Sequence, residues 1–79
     1  MKTIVWSPGA RRALRGLPDE VARRVCAKLE RYARTGAGDV RTLVESDLRR
    51  LRIGDYRVLF AEDVERLAIV RIGHRSPIY

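Results

Sequence analysis

The stretch that most constrains this chain is residues 48–60, two short strand-like runs (48–53 and 56–60) joined by Gly54-Asp55. A two-residue connection of this type between alternating apolar runs closes a β-hairpin. Counting outward from that turn sets the register: Ile53 opposite Tyr56, Arg52 opposite Arg57, Leu51 opposite Val58 and Arg50 opposite Leu59. Side chains alternate across a strand, so Leu51, Ile53, Tyr56 and Val58 share one face while Arg50, Arg52 and Arg57 share the other. Opposed side chains in a ladder lie about 5 Å apart at Cβ, and like charges so placed repel.

Two readings fit this spacing. An antiparallel sheet often shows water a polar face, where arginine is at home. Alternatively an anion sits among the guanidinium groups and relieves their repulsion. Two features favour the anion. The clustered charges are all arginine, whose planar fork of donors matches phosphate, and Gly73-His74-Arg75 repeats the basic theme near the end of the sequence. The backbone of RNA is such a polyanion.

The whole chain carries the same bias. Seventeen basic residues against ten acidic give +7, and fifteen of the seventeen are arginine, a balance that favours nucleic acid or an acidic protein as partner. With 79 residues, 46% of them hydrophobic, the sequence predicts a single domain over 1–79, too apolar to stay disordered. The lone Cys26 has no disulfide partner and falls in a helical pattern, as a small buried hydrophobe. There is no apolar run of the length a signal peptide or membrane span needs, so the expected location is the cytoplasm, with no membrane partner.

Along the chain, residues 2–6 read as a strand that stops at Ser7-Pro8, where a hydroxyl cap and a proline suited to the first helical position start a helix. That helix runs to about Arg15 on a stripe of Ala10, Ala13, Leu14 and Leu17, and Gly16 suits its C-terminal cap. Pro18-Asp19-Glu20 opens a second helix with its acids where the helix dipole favours them. Val21, Val25, Leu29 and Tyr32 form its apolar stripe, widened by Ala22, Cys26 and Ala33. Arg23, Arg24, Lys28, Arg31 and Arg34 fill the outer face, as solvated residues usually do. Residues 35–39 end the helix in a loop. After the hairpin, 62–65 make an acidic turn, and 66–72 hold Leu-Ala-Ile-Val, apolar on both parities as in a buried or central strand. Arg71 has either face open to it, depending on the length of the preceding loop. The order is β-α-α-β-β-β: an α+β fold with a mostly antiparallel four-stranded sheet and both helices on one face. The face carrying Arg50, Arg52 and Arg57 is then left uncovered.

One His and one Cys do not make the usual zinc set, and no nucleophilic triad or phosphate-binding glycine loop occurs. No cofactor or metal is expected. RNA chemistry can run on such a chain, because the 2′-OH is a nucleophile adjacent to the scissile phosphate. The protein then has to orient the ribose, stabilise the extra negative charge and move protons. Arginine stabilises charge but stays protonated, so His74 and Tyr79 are the candidate proton-transfer groups.

The run Leu-Arg-Ile-Gly-Asp-Tyr-Arg-Val-Leu-Phe, the later Ile-Gly-His-Arg and Ile-Tyr, and the opening Trp-Ser-Pro-Gly-Ala…Leu…Leu-Pro resemble the RelE/ParE toxin superfamily of bacterial type II toxin–antitoxin modules. The resemblance spans nearly the whole chain, and the family fold agrees with the order above. Likeness to the RelE branch implies a ribosome-dependent endoribonuclease that cuts mRNA in the decoding site by 2′-OH attack, held in check by an acidic antitoxin. It places the catalytic residues at Arg57, Arg75 and Tyr79, with Arg50, Arg52 and neighbouring Arg49 binding RNA. This sequence departs from the pattern at Leu48, where the best-known members are basic, and at Arg50, which replaces a lysine. Two residues are also missing between Arg75 and Tyr79. The absent lysine gives His74 the place of a compensating catalytic residue. The ParE branch of the same fold implies instead poisoning of DNA gyrase. A third reading is a non-catalytic member that only binds nucleic acid, such as promoter DNA in complex with its antitoxin.

Overall fold

The computed structural model describes residues 1–74. Strand β1 (Thr3–Trp6) leads into helix α1 (Pro8–Arg15) and helix α2 (Asp19–Thr35). Strands β2 (Val40–Thr42), β3 (Leu48–Ile53), β4 (Tyr56–Glu62) and β5 (Arg66–His74) follow. The fold is α+β, as expected, but the sheet has five strands in the order β1-β5-β4-β3-β2. The additional strand is β2, which pairs Val40 with Leu51, Arg41 with Arg50 and Thr42 with Arg49. Three residues, two of them exposed, are too few to show the alternation by which a strand is recognised. All pairings are antiparallel except β1 with β5.

Ser7 starts α1 as its sequence suggests. Its Oγ accepts from the Ala10 N–H at 3.1 Å and donates to the Val70 carbonyl at 3.1 Å, so the cap also ties the helix to β5. Gly16 ends α1 at φ −81°, a conformation any residue adopts, so its expected left-handed cap is not used. Gly36 provides one instead at the end of α2, with φ +76° and its N–H donating to the Tyr32 carbonyl at 2.8 Å. Asp19 and Glu20 occupy the first turn of α2, where they face the helix dipole's positive end.

Both helices pack on one face of the sheet. Val25, Leu29, Tyr32 and Ala33 of α2 and Ala10 of α1 meet Leu51, Ile53, Val58, Phe60, Leu67 and Ile69 in one buried cluster. Tyr32 and Phe60 meet edge-on with ring centroids 5.5 Å apart. Cys26 is half-buried, and burial, with Glu30 nearby, pushes its thiol above the ordinary range.

At the edge of this core stands Glu62, the only acidic residue in the strands described. Lys2 Nζ and Tyr32 Oη donate to its carboxylate at 2.5 and 2.6 Å, and Arg49 Nε lies 3.4 Å away. Burial pushes this carboxyl up, but the hydrogen bonds from Lys2 and Tyr32 and the charges of Lys2 and Arg49 outweigh it, leaving the group below its usual value. The Tyr32 hydroxyl moves the other way, raised by burial and by its bond to Glu62.

Candidate functional site: an arginine face

The β3–β4 hairpin forms in the register counted from its turn, with Ile53 across from Tyr56, Arg52 from Arg57, Leu51 from Val58 and Arg50 from Leu59. Gly54 has φ +59° while Asp55 does not share the left-handed region, the pattern of a two-residue turn that takes glycine first. Leu51, Ile53 and Val58 therefore point into the core, and Arg50, Arg52 and Arg57 point to the face opposite both helices.

The neighbouring strands enlarge this basic face. Pairing runs Arg41–Arg50–Leu59–Arg71 across four strands, and the next row runs Arg52–Arg57–Gly73. Among the described residues, Arg41, Arg50, Arg52, Arg57 and Arg71 thus cluster in adjacent rows of the face, with Arg66 farther along it at the start of β5. Arg41 belongs to β2, whose three residues carry too little alternation for the sequence to mark it as a strand. Arg71 arrives through a bulge: β5 pairs Ile69 with Phe60 and then Arg71 with Leu59, leaving Val70 as the extra residue. Unbroken pairing would set Arg71 across from Val58, toward the core. The bulge also explains why the apolar run of β5 is not buried on both sides, since Val70 is 45% exposed.

Within the site, Arg52 Nε and Arg57 Nη1 each contact the Gly54 carbonyl at 3.4 Å, and Arg57 Nη1 contacts the Tyr56 carbonyl at 3.4 Å. These are long contacts that hold two guanidinium groups toward the turn without satisfying them. Arg57 is half-buried, and its Nε is shut off from solvent with no hydrogen-bond partner among the described residues. Leaving such a donor unmet costs about 1–3 kcal/mol, which a bound acceptor would recover. Among the described residues, none of Arg41, Arg52, Arg57 and Arg71 has an ion-pair partner. No strand position on the face is acidic, because Glu62 points the other way. Neighbouring cations without counterions make an anion site, and arginine's geometry suits phosphate oxygens.

Two of the sequence candidates fall elsewhere. Arg49 pairs with Phe60, on the helix face, where it meets Glu62. His74 pairs with Tyr56, and the two rings meet edge-on with centroids 4.8 Å apart. The same bulge that brings Arg71 to the arginine face carries His74 to the other one. Arg75 and Tyr79 lie outside the described residues. Among the described residues, no group of His, Cys, Asp and Glu is placed to hold a metal ion.

A family model described as ParE toxin of type II toxin-antitoxin system, parDE, matches residues 4–79. No curated protein matches the chain. Among solved structures, the archaeal RelE–RelB complex from Pyrococcus horikoshii superposes with a TM-score of 0.82 at 24% identity, covering 96% of this chain and 97% of that one. The RelB–RelE antitoxin–toxin complex from Methanococcus jannaschii gives a TM-score of 0.73 at 15% identity, over 89% and 88% of the two chains. The YoeB dimer from Staphylococcus aureus gives 0.77 at 16% identity, over 95% and 98%. At these identities the likeness is one of fold.

Proposed function

Because the chain belongs to the ParE toxin family of type II toxin–antitoxin systems, within the RelE/ParE superfamily, we propose that it acts as a toxin by cutting messenger RNA on the ribosome. The observation that carries this reading is the arginine face: five guanidinium groups in adjacent rows, with no acidic strand position among them. In this reading the face takes the RNA backbone, and the 2′-OH of the bound nucleotide attacks the adjacent phosphorus while the 5′-oxygen leaves. Arg57 is the natural stabiliser of the charge that develops on the phosphate. It is half-buried, and its Nε has a hydrogen bond to give, so the interaction gains strength from a partly desolvated setting. Arg50 and Arg52 hold the flanking backbone, with Arg41 and Arg71 extending the track.

Proton transfer falls to groups other than arginine. In this proposal Arg75 and Tyr79 serve the same site, Tyr79 orienting the ribose or exchanging a proton. His74 lies on the opposite face beside Tyr56, away from the arginine rows, and takes no part in this chemistry. The partner that would silence the toxin is an acidic antitoxin. The named complexes of similar fold, RelE with RelB, and the +7 charge both support such a partner. A second reading, inhibition of DNA gyrase, is favoured by the match to the ParE model in particular.

One experiment separates the two. Purified protein is added to ribosomes programmed with a defined mRNA, with 5′ ends mapped, and in parallel to a gyrase supercoiling reaction. Cuts within the mRNA that disappear in Arg57→Ala are the expected result. Intact mRNA together with gyrase-dependent DNA breaks would overturn it in favour of the second reading.

A further inference from the structure

Three unusual features meet in the connection between β2 and β3. Glu45 has φ +58° and is the only non-glycine residue with positive φ among those described, a conformation that is strained for a residue with a side chain. Beside it Val44 is 89% exposed. Thirdly, a cleft of about 380 Å³ opens here, lined by Arg41, Thr42, Leu43, Val44, Ser46 and Arg50. The lining combines guanidinium, apolar and hydroxyl side chains in one cleft that adjoins the arginine face through Arg41 and Arg50.

We infer that this cleft is a base-binding subsite that takes one nucleobase of a single-stranded RNA whose backbone lies on the arginine face. The inference rests on the proposed RNA-directed function and adds a place where the sequence of the RNA is read. Its size lies at the low end of small-ligand sites, roughly 300–1,000 Å³, enough for one nucleotide unit. Its walls are of the right kinds. Leu43 and Val44 offer apolar surface to a ring face, the Arg41 guanidinium is a plane on which a base stacks, and the Thr42 and Ser46 hydroxyls donate to or accept from a base edge. Glu45 and Asp47 lie in the same connection but outside the lining, and their charge disfavours a phosphate at the loop end. A base is therefore the better occupant there, with its phosphate toward the arginine rows.

The spacing also fits. Arg41 stands two strands across and one row along from Arg57, about 12 Å away by sheet geometry. A strand of RNA held at Arg57 thus reaches the cleft within a few nucleotides.

The test uses a fluorescent, non-cleavable 2′-O-methyl RNA hexamer and a set of the same hexamer with a single abasic position, measured by anisotropy. With the wild-type chain, one abasic position should weaken binding about tenfold, the size of a lost stacking contact. In a Arg41→Gln,Val44→Ser variant, both positions being exposed, binding should weaken and that abasic penalty should vanish. Arg11→Gln, which removes the same charge from the exposed face of α1, should leave the penalty intact. A penalty absent from the wild type, or unchanged in the double variant, overturns the subsite, and a loss equal to that in Arg11→Gln means charge alone. Because binding is read without cleavage, a variant-sensitive penalty supports the subsite even if programmed ribosomes show no cut; cuts without any penalty refute the subsite and leave the cleavage reading standing.

Discussion

Arg57 brings together exposure to a ligand and partial removal from water. Replacing it with alanine should slow cleavage about 10²–10³-fold, the usual cost of one charge-stabilising donor, without lowering thermal stability, because its contacts at 3.4 Å are long and its unmet Nε is removed with it. Arg57→Lys should rescue little, since a point charge does not reproduce the guanidinium fork. Tyr79→Phe keeps a ring for stacking and loses only the hydroxyl, so it should be impaired, and Tyr79→Ala more so, in a single-turnover cleavage assay. His74→Gln should leave the cleavage rate unchanged, because the ring lies on the opposite face beside Tyr56; a slower rate in the same assay would show that the ring reaches the reacting atoms after all. Glu62 invites a different measurement. Its carboxyl is held below the usual value, so its contribution to stability is full above the unfolded-chain value, about 4.3, and fades as pH falls through the folded one. Glu62→Gln should therefore weaken the fold near neutral pH and lose part of the acid dependence seen in denaturant titrations.

The hairpin and the bulge differ in how much of them the sequence reveals. Gly54 has to be at φ +59°, so Gly54→Ala should cost about 1–2 kcal/mol from backbone strain alone. A urea titration would detect this as a lower midpoint at unchanged slope. Ser7→Ala should cost about 1 kcal/mol for the cap, and more if the bond to the Val70 carbonyl matters to the bulge. The hairpin register was legible because a two-residue turn leaves one way to count, and the alternation of Leu51, Ile53, Tyr56 and Val58 agrees with it. The bulge was not legible. Its extra residue, Val70, is as β-prone as its neighbours, and what marks it is contact with Ser7 from a distant part of the chain. That one unread residue decided the faces of both Arg71 and His74. Arg41 escaped for another reason, since a three-residue strand carries too little pattern. Arg49 looked like its neighbours Arg50 and Arg52 by composition, while parity alone puts it with the core.

The charge of the molecule as a whole should show in its salt dependence. Each phosphate neutralised on a single strand contributes about −0.7 to the slope of log affinity against log salt. Removing Arg52 or Arg71 should flatten the slope by about that amount, and removing Arg34 on α2's outer side should not, as anisotropy at several salt concentrations would show. An acidic antitoxin covering the same face should compete with RNA and lose affinity with salt in the same way. The order in which the sheet is assembled has a consequence of its own. Among the described residues, strand β1 bonds to no strand except β5, from Thr3 with Arg66 to Trp6 with Ile69. In folding, β1 has to wait for β5, which lies far along the chain, and the arginine rows stay incomplete until β5 supplies Arg71. The strand that closes the sheet on β1 is thus the strand that completes the arginine rows, so the basic face and the closed sheet form together or not at all.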